Sequence, residues 1–377
     1  MKLTALATFA SLAVLTAPSL ASVQTYPSER GQVRVTEIAG DLSNPWALAF
    51  LPDGSMLVTE RTGALLRIDA QGAKSAPLKG VPKVHAQGQG GLLDVALSPD
   101  FANDRLVYLG FAEAGDGASG TAVGRGRLNA AADGLEDFTV IFRQQPKLSR
   151  GQHYGVRLVF DRAGDLFIAL GDNNERPAAQ DLDKLQGKLV RIRPDGSIPP
   201  DNPFVKQADA NDAIWSYGHR NQQGAALHPQ TGVLWTHEHG PRGGDEINLP
   251  EAGKNYGWPI ATHGINYSGL PIPEAKGKTI DGMEAPHHVW EQSPGISGMA
   301  FYPGDAAGAW QGNLFIGALA TRELIRLELD GDRITHEERL LDGMNARIRD
   351  VRTGPDGHLY LLTDAREGQL LRVELQP

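Results

Sequence analysis

Cysteine is absent from the 377 residues. That absence removes disulfides, zinc–thiolate centres and thiol nucleophiles together. No basic block occurs and the formal net charge is -9, so the chain offers nucleic acid and anionic membrane surfaces nothing to bind. The apolar stretch Leu3 to Leu15 is too short for a spanning helix, and no later run replaces it. What is abundant is turn chemistry, with 45 glycines and 24 prolines, which suits many short strands rather than long helices. Hydrophobic residues make up 41%, enough for a sizeable core. The N-terminus reads as a signal peptide over residues 1–21: Lys2, then the apolar stretch, then Ser19-Leu20-Ala21 with cleavage after Ala21. The expected mature chain, 22–377, is exported, soluble and, in a Gram-negative source, periplasmic.

One phrase recurs: an apolar strand, a Pro-Asp-Gly-like turn, a second apolar strand. The copies are ALAFLPDGSMLVTE from Ala47, DVALSPDFANDRLVYLGF from Asp94, VRLVFDRAGDLFIALGD from Val156, GAALHPQTGVLWTHEHG from Gly224, GMAFYPGDAAGAWQGNLFIGAL from Gly298 and DVRTGPDGHLYLLTD from Asp350. The turns carry Gly, Asp or Pro where a hairpin needs unusual backbone angles. The flanks read as half-buried or buried strands. A further strand follows most copies, such as ALLRIDA from Ala64 and LIRLELD from Leu324. Repetition at this spacing predicts radial symmetry. The expected fold is all-β, a single six-bladed β-propeller of four-stranded antiparallel blades, with a pair of β-sandwiches as the alternative. The Gly/Pro-rich stretch from Asn266 to Met283 reads as a surface loop over one face.

The chemistry-bearing residues stand outside the repeats. The most distinctive block is IWSYGHRNQQG from Ile214, followed by HEHGPRGGDEINLPEAGKNYGWP from His237. Gly218-His219-Arg220-Asn221 sets a fixed cation beside an amide in a tight turn. A guanidinium offers a planar fork of donors to a carboxylate or quinone oxygen. Gly240-Pro241 turns backbone carbonyls outward, and Asp245 and Glu246 add carboxylates. Oxygen ligands without cysteine suit a hard cation such as calcium. The plainer alternative for Asp245-Glu246 is an exposed acidic turn. His237 and His239, at i and i+2, have the spacing of two zinc ligands on one strand face, with no third ligand evident.

With these motifs on view, the chain resembles the soluble aldose sugar dehydrogenases that use pyrroloquinoline quinone (PQQ), a branch of the soluble glucose dehydrogenase family. The GHRN-to-NYGWP block carries the likeness. GQGGLLDVALSPDF from Gly88, HYGVRLVFD from His153, LQGKLVRIRPDGSIPPDNPF from Leu185 and RIRDV from Arg347 follow in the family's order. The resemblance implies PQQ and calcium as cofactors, and oxidation of aldoses at the anomeric carbon to aldonolactones. It implies His153 as the base, Arg220 as the cation near the reactive carbonyl, and Gln89 on the substrate side. Arg220, Asn221, Tyr267, Arg347, Arg349 and Gln180 match positions around PQQ. The carbonyls of Gly240 and Pro241 match ligands of the calcium at PQQ. Glu246 and Tyr256 match a second, structural calcium site. The electron acceptor is a soluble one of unknown identity, and relatives occur as monomers and homodimers.

Two departures from the family pattern stand out. Ala320 occupies the place where glucose-specific relatives put a cofactor-binding lysine; Arg322 shares its face only if the strand is regular there, so the cofactor carboxylate is held more weakly, or by Arg322 or backbone. Gln152 precedes the base where that branch has a carboxylate. Two other function classes fit a propeller: a calcium-dependent lactonase, which needs side-chain carboxylates around one ion, and a carbohydrate- or protein-binding module without turnover. Read without the resemblance, Arg347 and Arg349 are a surface cation pair on one strand face.

Overall fold

The computed structural model describes residues 22–303 and 308–376. Residues 1–21, where the signal peptide is expected, lie outside them. Six antiparallel sheets stand around one axis. Blade 1 contains Pro45–Phe50, Met56–Glu60 and Leu65–Ile68. Blade 2 contains Leu92–Leu97, Leu106–Ala114, Ser119–Leu128 and Leu135–Arg143. Blade 3 contains Gly155–Phe160, Leu166–Leu170, Lys188–Ile192 and Ile214–Tyr217. Blade 4 contains Gln222–Leu227, Leu234–Glu238, Asp245–Asn248 and His288–Trp290. Blade 5 contains Ile296–Phe301, Leu314–Ala318, Leu324–Asp330 and Arg333–Leu340. Blade 6 contains Ile348–Thr353, Leu359–Thr363 and Gly368–Gln376, extended by Gly31–Leu42 and Val23–Ser28. Each repeat copy forms the first two strands of one blade. Among the described residues, no helix is long and apolar enough to cross a membrane.

Two blades depart from four regular strands. Blade 1 has three, with a ragged edge where Ser75 N donates to Arg67 O at 2.8 Å and Leu78 N to Leu65 O at 2.8 Å. Blade 6 has five because both ends of the chain meet there. Gly31–Leu42 pairs antiparallel with Gly368–Gln376, placing Val33 opposite Leu375 and Val35 opposite Val373. This pairing closes the ring and covers a sheet edge that would otherwise present unpaired backbone groups.

The turns behave as their residues dictate. In three copies an aspartate accepts from the backbone N–H two residues on: Asp53 from Ser55 at 2.9 Å, Asp161 from Ala163 at 2.9 Å, and Asp356 from His358 at 3.2 Å. The core lies between blades, where apolar faces of neighbouring sheets meet. Trp235 of blade 4 meets Phe301 of blade 5 edge-on at 5.6 Å. The axis itself is polar. Arg157 Nη1 lies 3.2 Å from Asp94 Oδ1 and 2.9 Å from Asp350 Oδ1, and Arg352 pairs with the same two carboxylates at 2.7 and 2.9 Å. Four charges from three inner strands thus neutralise one another and fill the axis midway.

Candidate active site

Strands one and two of a blade run antiparallel, so the entry to the first and the exit from the second share one edge. Most of the candidate residues sit at such a place. Gln89, His153, Arg220-Asn221 and Arg347 lead into the inner strands of blades 2, 3, 4 and 6. His239-Gly240-Pro241 and Leu319-Ala320 follow the second strands of blades 4 and 5. All therefore gather at one end of the axis. Two contiguous cavities open there. The smaller, about 240 Å³, is lined by Gln89, Asn221, Gln223, Arg347, Arg349 and Asp364 among others. The larger, about 810 Å³, is lined by Gly240, Pro241, Tyr267, Ala320 and Arg347 among others. His239, Leu319 and Arg347 border both.

His153 is held from three directions. Its N–H donates to Gln89 Oε1 at 2.8 Å. Its carbonyl accepts from Asn173 N and Nδ2, each at 3.2 Å. Its ring Nδ1 lies 2.7 Å from Asp172 Oδ1. The backbone of His153 is left-handed, with φ 47°, an unusual conformation for a bulky residue. Gly171 permits this approach, because a Cβ there would stand 1.8 Å from His153 O. The carboxylate absent from position 152 is thus supplied by Asp172, from the end of blade 3's second strand. Asp172 is fully buried. Burial alone would raise its carboxyl, but the His153 hydrogen bond, with the charges of His153 and Arg220, holds it below the ordinary aspartate range.

Arg220 reaches across the site. Its Nη1 donates to His239 O at 3.0 Å and Gly240 O at 2.8 Å. Its guanidinium carbon stands 5.3 Å from the ring centre of Trp258, and its Nε is buried without a partner. Asn221 Oδ1 accepts from Gly155 N at 3.3 Å and Gln223 Nε2 at 3.2 Å. Gln223 Oε1 in turn accepts from Arg349 Nη1 at 3.4 Å. Arg347 and Arg349 converge on one carboxylate, with Asp364 Oδ2 at 2.7 Å and 3.2 Å. Burial is the largest influence on Asp364 and would raise it, but the two guanidiniums hold it below its usual range. One carboxylate against two cations leaves this wall positive.

The remaining expected residues divide. Ala320 lines the larger cavity, and Arg347 Nη1 donates to the adjacent Leu319 O at 3.0 Å. Arg322 lines neither cavity. It is exposed in a left-handed turn with φ 63° after the strand has ended at Ala318, so it does not stand in for the family lysine. Tyr267 is 73% exposed on the rim of the larger cavity. Gln180 lines neither cavity; its amide exchanges two hydrogen bonds with Asn255, at 2.8 and 3.0 Å, and donates to Trp258 O at 2.7 Å.

Glu246 and Tyr256 also lie away from the cavities. Glu246 is the cross-strand neighbour of Glu238. Burial, and for Glu246 the charge of Glu238, push both carboxyls above the ordinary range. The Tyr256 hydroxyl donates to Leu249 O at 2.6 Å. His237 and His239 do not converge on an ion. Both nitrogens of His237 are buried without partners, and His239 Nε2 is bound to Ile296 O.

Asp172, Gln223, Asp364 and Trp258 were not among the expected site residues. A signal for two of them exists within the repeats: copies three and six end in an aspartate within two residues of the second strand, LFIALGD and LYLLTD.

Fold and site together define the class, a propeller oxidoreductase with a His–carboxylate pair beside an arginine-walled cavity. The chain belongs to the glucose/sorbosone dehydrogenase family, whose model matches residues 42–372. It is 58% identical over 343 residues to the aldose sugar dehydrogenase YliI of Escherichia coli (strain K12), covering 90% of this chain and 92% of that protein. The crystal structure of the soluble aldose sugar dehydrogenase from Escherichia coli in its apo-form superposes with a TM-score of 0.90 at 57% identity, over 91% of this chain and 100% of that one. The PQQ-bound aldose sugar dehydrogenase from Streptomyces coelicolor superposes with a TM-score of 0.74 at 30% identity, over 95% and 100% of the two chains.

Proposed function

We propose that this chain oxidises aldoses at the anomeric carbon to aldonolactones, using PQQ and calcium. The observation that carries the reading is that the smaller cavity joins Gln89, Tyr154 and Gly155, which flank and hold His153 and its partner Asp172, to the positive wall of Arg347 and Arg349, although His153 itself lines neither cavity. PQQ is a planar tricarboxylate, and the residues suit it: two arginines share a single carboxylate, and the Nε atoms of Arg349 and Arg220 are buried without partners. The carbonyls of Gly240 and Pro241 border the same space. Gly240 O accepts one bond from Arg220 and keeps a second lone pair for a calcium ion.

When bound, PQQ with its calcium supplies the acceptor for the hydride leaving the sugar's C1. The protein's part is proton transfer and charge placement. With Nδ1–H donating to Asp172, the lone pair of the His153 ring lies on Nε2, which takes the proton of the anomeric hydroxyl. The C1–H bond breaks as the C1=O bond forms, and the product is the lactone. Gln89 fixes the His153 backbone and adds an amide on the sugar side. Arg220 supplies positive charge where negative charge develops. Tyr267, on the rim, offers an aromatic face to a sugar or cofactor ring. Glu246 and Tyr256 are the family-matched place for a second, structural calcium ion.

The residues 1–21 are read as an export signal, which makes the mature enzyme periplasmic in a Gram-negative source, or secreted; a soluble electron acceptor is the expected partner. The lactonase alternative is disfavoured, because among the described residues no three His, Asp or Glu side chains group to hold an ion.

The test is reconstitution of purified apo-protein with PQQ and calcium chloride, followed by dye-linked oxidation of a panel of aldoses. The expected result is turnover together with a visible-absorbance change on adding cofactor and again on adding sugar. Neither change, with activity instead on lactones and calcium alone, overturns the reading.

A further inference from the structure

We propose that Trp258 is a positioning residue of the oxidation, holding the Asp172 carboxylate and the Arg220 guanidinium in one fixed relation to His153. The inference rests on the dehydrogenase reading above.

Trp258 is 4% exposed, and each part of it is engaged. Its Nε1–H donates to Asp172 Oδ2 at 2.8 Å. The other oxygen, Oδ1, takes His153 Nδ1 at 2.7 Å and Asn174 N at 2.7 Å. Both oxygens are therefore occupied, and the carboxylate plane is set by the indole as much as by the imidazole. The indole face lies 5.3 Å from the guanidinium carbon of Arg220, a cation–π distance. The backbone is tied at both ends: Trp258 N donates to Gly218 O at 2.9 Å, and its carbonyl accepts from Gln180 at 2.7 Å. Ala179 and Ile272 pack against it as a small apolar cluster. Ile272 belongs to the loop that carries Tyr267 over the cavity. One side chain thus joins the base's carboxylate, the site's central cation and the rim loop.

A Trp that merely filled space would need no N–H. Trp258→Phe separates the two roles, since it keeps an aromatic face and bulk and removes only the donor. Without that donor the Asp172 charge is less compensated and holds the His153 proton more strongly, so the imidazole titrates at higher pH. The other charges facing this pair are Arg220 and, further off, Lys188 and Glu238, and the substitution leaves all three in place.

The first measurement uses apo-protein, so neither cofactor nor sugar enters. NMR follows the His153 imidazole from pH 4 to 9 in unaltered protein and in W258F, with a midpoint about half a pH unit higher expected in W258F. In unaltered protein the Trp258 Nε1–H resonance is expected to move with the same midpoint, which decides the matter even if W258F folds poorly. In reconstituted enzyme, kcat of W258F is expected to fall about tenfold, with KM for the aldose within about twofold and the acidic limb of kcat/KM moved to higher pH. Added to Asp172→Asn, W258F should cost nothing further, because the two act through one carboxylate. An unmoved His153 midpoint with a flat indole resonance overturns the proposal, as does a double variant in which the two losses multiply. If unaltered protein oxidises no aldose, the dehydrogenase reading fails, and the apo-protein titration still reports on Trp258.

Discussion

His153 and Asp172 are nineteen positions apart in the chain and 2.7 Å apart in space, Nδ1 to Oδ1. The carboxylate orients the ring and selects its tautomer, as carboxylates behind functional imidazoles generally do. It reaches the histidine because the entry to blade 3's first strand and the exit from its second lie side by side.

Replacing Asp172 by Asn keeps size and removes the charge. The expected loss in kcat is on the order of a hundredfold or more, because the ring loses its tautomer restraint and the imidazolium its counter-charge. Cofactor binding should persist, since Asp172 contacts the base and not the arginine wall. Steady-state kinetics paired with a PQQ absorbance titration separates the two; equal loss in both would contradict the assignment.

Arg349 is half-buried, with its Nε fully enclosed and without a partner, and its removal acts mainly on the cofactor. Arg349→Met should weaken PQQ binding by roughly 10- to 100-fold, the worth of a charge-assisted hydrogen bond. Arg347 still pairs with Asp364 in that variant, so the fold should be retained. Binding of PQQ to the apo-variant, followed by fluorescence quenching or absorbance, measures this directly. Unchanged affinity would remove Arg349 from the cofactor site.

The axial cluster contributes to stability through mutual neutralisation. Arg157→Leu leaves Asp94 and Asp350 sharing Arg352 alone and removes a 2.7 Å bond to Gln223 O. Truncating one partner of a buried pair costs about 3–5 kcal/mol, which should lower Tm by about 5–10 °C in calorimetry. The exposed pair of Lys79 with Asp133 provides the contrast: Lys79→Ala should leave Tm unchanged. Equal Tm values for the two variants would refute the axial role.

Acid should expose the ion pairs of the site. Asp172 and Asp364 are both held below their ordinary range in the folded state. A depressed carboxyl contributes stability above its unfolded value of about 4, and that contribution is lost as pH falls through the folded value. Stability of the apo-protein should therefore decline below about pH 4, and Asp364→Asn should decline less steeply. Urea midpoints at intervals from pH 6 to 3 test the sign. A steeper decline in the variant would contradict it.

The repeats mark out the six inner hairpins one by one, because turn residues and apolar alternation are local properties of the chain. The closing of the ring was not legible in the same way. Gly31–Leu42 pairs with Gly368–Gln376, and no local pattern announces a partner more than three hundred residues away. Arg322 is a case that depended on where a strand ends. Its spacing suggests a substitute for the missing lysine, but the strand ends at Ala318 and the following turn points it elsewhere.

By itself the sequence determined the scaffold, the placing of His153, Arg220 and Arg347 in the connections, and the family; Arg349 lies inside the inner strand of blade 6. Each rests on residue types and order along the chain. Tertiary structure alone decided which groups meet. Asp172 and Asp364 recur after the second strands of copies three and six, but that recurrence does not tell which group each one meets. The strand ends of different blades converge at the axis, and there Asp172 becomes the partner of His153 and Asp364 the shared counter-ion of two arginines. Burial at that point of convergence sets their charge, and burial is a property of the folded ring.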